Sequence, residues 1–195
     1  MQQLKPISEL MPSLVQPKYL AEAQKNWAII QKHLKEAKID DELNSRIILA
    51  NVLHETAHRL IPLHEFGQQP YFRKMYWENL KTRKALGNIV ESDAWEYAGR
   101  GFIQLTGRHN YEKAGGALNL PLLSQPELML KSEESARALV WYWRSHGLDV
   151  WANKLRYAKS ENDKLYILQK IRRLINGGLN GWDAVFKDLK TLGIV

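Results

Sequence analysis

Cysteine is absent from the 195 residues. That excludes disulfides, a thiolate metal site and a cysteine nucleophile, and allows the chain to work in reducing or oxidising surroundings. Long apolar runs are missing too: no stretch approaches the roughly 18–20 residues needed to cross a bilayer. Residues 1–20 carry Lys5, Pro6, Ser8, Glu9, Pro12 and Gln16 instead of the continuous apolar core of a secretory signal. The expectation is a chain made in a cytoplasm without a signal peptide. Acidic residues are the minority charge, 21 against 28 Lys and Arg, which gives a formal net charge of +7. Such an excess favours polyanions: nucleic acid, anionic lipid surfaces or bacterial wall polymers. The positive charges are scattered, and no helix-turn-helix or RNA-recognition pattern accompanies them, so nucleic acid is not an expected partner.

What is present reads as mostly helical. Leu20, Ala23, Trp27, Ile30 and Leu34 form a helical stripe over 18–37. Asp40 and Asp41 signal the start of a second helix, Glu42 to Leu60, which Pro62 ends. Helical patterns return over 132–145, 162–175 and 183–192. Between them, residues 64–110 are broken by glycines at 67, 87, 99, 101 and 107. This stretch is expected to be irregular, with a short hairpin around Gly99 to Leu105, and such stretches usually carry function. The fold class expected is mainly α: one domain spanning 1–195, with residues 1–40 as a helical segment packed on it.

His54-Glu55-Thr56-Ala57-His58, with His64 six residues on, can be read as metal chemistry. On a helix, His54 and His58 lie one turn apart on one face and could share a zinc ion, with Glu55 as general base. His64 would be the third ligand. The turn such a site needs falls at Ile61-Pro62, and a β-branched residue resists the positive φ required. The ordinary alternative is that His54 and His58 are hydrogen-bonded histidines on the buried stripe with Ala50, Ala57 and Ile61.

Carbohydrate chemistry is the second reading. Glycoside hydrolysis needs two carboxyls across the scissile bond, one held protonated and one ionised. Glu55 lies near the end of an apolar helix, where desolvation favours the protonated form. Glu65 follows in a loop open to water. A further constellation runs from Tyr97 to Tyr111. There Gly99 and Gly101 flank Arg100, and Gln104 and Thr106 alternate on one face if the segment is extended. An amide and a hydroxyl suit sugar groups and an attacking water, and Tyr97 and Tyr111 could stack on sugar rings.

Tyr97 to Tyr111 resembles the signature of glycoside hydrolase family 19, the family 19 chitinases and the related phage endolysins. Asn51 to Thr56 is similar to the family's His-Glu-Thr motif. His64 to Gly67 with Tyr71-Phe72 resembles the second-carboxylate loop of the phage branch. Leu86 to Asn88, Ser135 to Leu148 and Arg172 to Gly181 resemble further family segments. The resemblance covers roughly Ile47 to Trp182.

It implies a lysozyme-like, α-rich fold with the irregular region lining a cleft. It implies Glu55 as general acid, Glu65 as general base and Thr106 as the hydroxyl that positions the water. Gln104, Asn110, Asn176, Tyr97 and Tyr111 would bind substrate, with no metal or cofactor. Glu78 and Glu91 compete with Glu65 for the second carboxylate. Two departures stand out. Ala57-His58 replaces a pair of glycines, and no arginine follows Gly181. The absence of disulfides, signal and chitin-binding module points to the endolysin branch. Its expected target is the glycan strands of peptidoglycan, reached at the anionic envelope after the membrane is permeabilised. The protein is expected to act as a monomer without a protein partner.

Overall fold

A computed structural model describes residues 4–195; Met1 to Gln3 of the N-terminal segment lie outside the described residues. Packing divides the chain into two units. One comprises the chain up to Ile61 together with Tyr142–Val195, and the other is Pro62–Trp141.

The first unit is built on helix α3, Glu42–Glu55, flanked in sequence by α1 (Ile7–Leu14) and α2 (Leu20–Glu36). All ten residues from Asn44 to Leu53 are buried, so α3 is enclosed on every side and has no solvent face. Helices α9 (Leu148–Lys154) and α11 (Trp182–Thr191) pack against it, and α10 (Glu161–Asn176) packs on α9. Asp41 caps α3 by accepting from the Leu43 and Asn44 backbone N–H groups. Buried Arg46 donates to Glu42, to the Leu192 carbonyl and to the Lys5 carbonyl at 2.7 Å each. A buried guanidinium is tolerated only when satisfied in this way, and these bonds tie both terminal segments to α3.

Helix α3 stops at Glu55, short of the expected Leu60. Ala57 and His58 both turn left-handed, with φ of 50° and 58°. The His58 N–H bonds the Leu53 carbonyl at 2.7 Å and the Ala57 N–H bonds the His54 carbonyl at 3.1 Å, the paired bonds of a Schellman stop. Thr56 braces the turn: its hydroxyl donates to the Val52 carbonyl and accepts from the Leu60 N–H.

In the second unit, β1 (Leu63–His64) pairs antiparallel with β2 (Arg100–Gly101), Leu63 opposite Gly101 and His64 opposite Arg100. The expected hairpin is reduced to a single bridge between Arg100 and Leu105, because Gln104 adopts φ 51° inside the turn. The partner strand therefore comes from the distant segment at 63–64. The stretch expected to be irregular holds short helices: α4 (Gln69–Phe72), a π-helical turn (Arg73–Glu78), α5 (Leu80–Leu86) and α6 (Asp93–Glu96). Gly87 breaks the periodicity because it ends α5 at φ 66°. Phe72, Ala94 and Ala98 form a small core beneath Tyr76, Trp77 and Trp95. Helix α7 (Arg108–Leu118) and α8 (Ser132–Ser145) follow, and the division between the units falls within α8.

An alanine at C′ bears a left-handed penalty that glycine avoids. Glycine's looser unfolded chain offsets part of the gain. Ala57→Gly is therefore expected to stabilise the protein by about 0.5–1 kcal/mol in denaturant unfolding. No gain, or a loss, would show that the turn is not held in this conformation.

Candidate active site

In the first unit, α3 delivers Glu55 in its last turn, with its side chain 15% exposed. The expected apolar setting is not what it meets. The Arg172 Nη1 donates to Glu55 Oε1 at 2.6 Å. Arg172 is itself buried on α10, and its Nε and Nη2 donate to the Asn180 carbonyl at 3.0 and 2.7 Å. Asn176 Nδ2 donates to the same carbonyl at 3.0 Å, while Asn176 Oδ1 accepts from the Gly178 N–H. Asn176, expected to bind sugar, thus shapes the 176–180 turn that fixes Arg172. Burial first, then the charge of Glu55, pushes the Tyr142 hydroxyl up to about 12.

In the second unit, three of the expected residues converge on Gly99. A Cβ built there would lie 2.9 Å from Gln104 Oε1, 3.1 Å from Glu65 Oε2 and 3.1 Å from Thr106 Oγ1. The Glu65 N–H bonds the Gly99 carbonyl at 2.7 Å, and the Gly99 N–H donates to Glu65 Oε2 at 3.1 Å. Gln104 Nε2 donates to the Leu63 and Gly101 carbonyls, and Thr106 Oγ1 donates to the Gln104 carbonyl. Gln104 and Thr106 do not alternate along a strand as expected; a left-handed residue brings them to the same point instead. Asn110 donates to the Thr106 carbonyl at 2.7 Å and secures the segment's exit.

Tyr97 and Tyr111 are 4% and 0% exposed. Tyr97 donates to the Leu123 carbonyl and Tyr111 to the Ala98 carbonyl, with Arg100 donating to the Tyr111 hydroxyl. Rings enclosed in this way offer no face for sugar stacking, which corrects the expected role. Glu78 and Glu91 both pair with Arg73, at 3.3 and 3.1 Å, on side chains about half exposed. They form a surface ion-pair cluster, whereas Glu65 sits among the groups around Gly99.

The zinc reading fails on geometry. His58 lies beyond the end of α3, so the one-turn spacing from His54 is lost, and its Nε2 meets Asp188 Oδ2 at 2.9 Å. His64 Nδ1 donates to the Glu65 carbonyl at 2.7 Å. Among the described residues, no group of three or more His, Cys, Asp or Glu is placed to hold a metal ion.

A family model described as chitinase class I matches residues 72–151. A glycosyl hydrolase family 19 domain-containing protein of Haemophilus influenzae is 34% identical over 189 residues, covering 85% of this chain and 86% of that protein. The chain belongs to glycoside hydrolase family 19. Acidic endochitinase Q of Nicotiana tabacum is 46% identical over 48 residues, only 24% of this chain and 19% of that protein. Chitinase C from Streptomyces griseus HUT6037 matches 95% of this chain and 74% of its own, with a TM-score of 0.53 at 21% identity. That likeness places this family 19 chain in the mainly α, lysozyme-like fold.

Family membership gives the two departures a physical reading. The position where the family often has two glycines is left-handed at both residues here, so Ala57 and His58 keep the turn at a conformational cost. No arginine follows Gly181, and the cation that meets Glu55 is Arg172, ten residues before Trp182 and named in the sequence only as the start of a family-like segment. Its signal was a charge within the stripe Leu168, Ile171, Ile175 on α10, where a side chain must be buried. Tyr76, which reaches Glu65, carried no comparable signal.

Two outcomes follow. Gly99→Ala is expected to displace Glu65, Gln104 and Thr106 together. Glycosidase activity should fall at least about tenfold while the fold is retained, since a misplaced group can cost that much and more. Full activity in this variant would mean that these groups need not converge. Separately, the Asp188 hydrogen bond raises the His58 pKa above 6.5. The stability it confers is fully present below that value and is lost as pH rises through the folded pKa. Asp188→Asn should therefore destabilise the protein more at about pH 5.5 than at about pH 8.5 in urea unfolding. An equal loss at both would remove the His58 bond from the account.

Proposed function

We propose that this family 19 hydrolase cleaves β-1,4 glycosidic bonds in the glycan strands of peptidoglycan by single displacement. Glu55 is the general acid that protonates the leaving oxygen, and Glu65 is the general base that takes a proton from water. The water attacks the anomeric carbon from the opposite face, as an inverting reaction requires. The observation that carries this reading is the convergence of a carboxylate, an amide oxygen and a hydroxyl on the point above Gly99. A base, two polar anchors and a glycine that leaves room suit the capture and orientation of one water. Arg172 fixes the direction of the Glu55 carboxyl but favours its ionised form, so the acid role requires Glu55 to take up its proton against that charge; no metal or cofactor enters the scheme.

Charge supports peptidoglycan over chitin. Chitin is uncharged, whereas peptidoglycan and the envelope around it are anionic, and a chain of net charge +7 concentrates on such a surface in a salt-dependent way. The enzyme then acts as a monomer of the endolysin type, reaching the wall once the membrane has been permeabilised. Chitin is the second reading, supported by the match to endochitinase Q.

Glu55→Gln and Glu65→Gln are expected to lower kcat on purified peptidoglycan on the order of 10²- to 10⁴-fold, with wall binding retained. A chelator should leave the wild-type rate unchanged. Wall lysis by folded Glu55→Gln at the wild-type rate would refute the acid assignment. Faster release of reducing ends from chitin than from peptidoglycan would transfer the function to the second reading.

A further inference from the structure

We propose that Tyr76 is a positioning residue for the reaction, holding the Glu65 carboxylate in the orientation from which it accepts a proton from water. This rests on the reading of Glu65 as the general base. The Tyr76 hydroxyl lies 2.7 Å from Glu65 Oε1 and 2.9 Å from Oε2, so its proton is shared across the carboxylate. The Tyr71 hydroxyl approaches Oε1 at 3.4 Å, and the Gly99 N–H holds Oε2 at 3.1 Å. A carboxylate held from a ring hydroxyl on one side and the backbone on the other has little rotational freedom left. Its accessible edge is thereby fixed relative to Gln104 and Thr106.

The local winding makes this possible. Tyr71 and Tyr76 are five residues apart, which on a continuous α-helix would separate them by about 140° around the axis. The chain changes to π winding over Arg73–Glu78, and both hydroxyls reach the same carboxylate. A π turn is rare and is found frequently at functional sites. The Tyr76 ring is itself anchored, stacked on Phe72 at 6.2 Å with an interplanar angle of 12° over the small core. Burial and the neighbouring carboxylate push the Tyr76 hydroxyl well above the usual tyrosine range, so it remains a donor at any working pH. Nothing about packing alone requires that hydroxyl, since phenylalanine would fill the same volume.

The test is a double-mutant cycle on soluble peptidoglycan glycan strands with Tyr76→Phe, Glu65→Ala and the pair, with thermal unfolding of each variant as the folding control. Azide is the added probe. It attacks the anomeric carbon in place of water, the bond to the leaving oxygen breaks, and Glu55 gives its proton to that oxygen. The product is a glycosyl azide, and no base is needed. Tyr76→Phe should lower kcat about 10- to 100-fold with KM unchanged. It should add nothing in the Glu65→Ala background, and azide, which takes the space and charge the carboxylate leaves, should restore Glu65→Ala. Tyr76→His, which keeps an N–H donor on a ring, should retain more activity than Tyr76→Phe at equal folded fraction. A wild-type rate for Tyr76→Phe beside an inactive, azide-rescued Glu65→Ala would overturn the role of Tyr76 and leave the base in place. The same holds for a loss that is additive with Glu65→Ala. An active Glu65→Ala would overturn the base assignment and this proposal with it.

Discussion

The reversal of hand at Ala57 and His58 governs much of what the first unit can do. Helix α3 is buried from Asn44 to Leu53, and its C-terminal turn brings His54 and Glu55 to partial exposure. Stopping the helix there leaves Glu55 as its last helical residue, with a carboxyl that Arg172 can reach from α10. Had the helix continued to Leu60, His58 would have stacked one turn above His54. The stop instead sends His58 to Asp188 on α11. One backbone event thus gives His58 a structural partner and leaves Glu55 as the last helical residue.

The two glutamates are held by partners of different kinds. Glu55 faces a buried guanidinium, whose other nitrogens are occupied by the Asn180 carbonyl, so the arginine cannot follow the carboxylate into solvent. Glu65 is held by neutral donors, tyrosine hydroxyls and the Gly99 N–H, beside Gln104 and Thr106. A charge-assisted bond is the stronger of the two kinds. Among the described residues no cation pairs with Glu65, which suits the proton-accepting role proposed for it. Gly99 is where this arrangement has least tolerance, because three polar atoms close on the space a side chain would fill.

Much of the helical frame was legible in the sequence. The stripes over 132–145, 162–175 and 183–192 correspond to α8, α10 and α11 within a residue, since amphipathic helices display their period. The C-terminus of α3 was not legible, because alanine and histidine do not advertise a left-handed turn. The short helices between Gly67 and Tyr97 were hidden for a related reason: elements of four to seven residues have too few turns to show a period. At the site, Glu65, Gln104 and Thr106 were named from residue type, and the structure gathers them. It does so through a turn at Gln104 where an extended segment was expected. Tyr97 and Tyr111 misled because aromatic residues near glycines suit a sugar platform and a buried brace equally well. Arg172 showed only as a charge within the α10 stripe, and Tyr76, which acts through a tertiary contact, carried no local signal.

The central claim is that these carboxyls serve a glycosidase acting on wall glycan. Mass spectrometry of fragments released from purified peptidoglycan tests it most directly. The account requires new reducing-end sugars on glycan fragments whose stem peptides remain intact. Cleaved peptide bonds on unbroken glycan strands would contradict it.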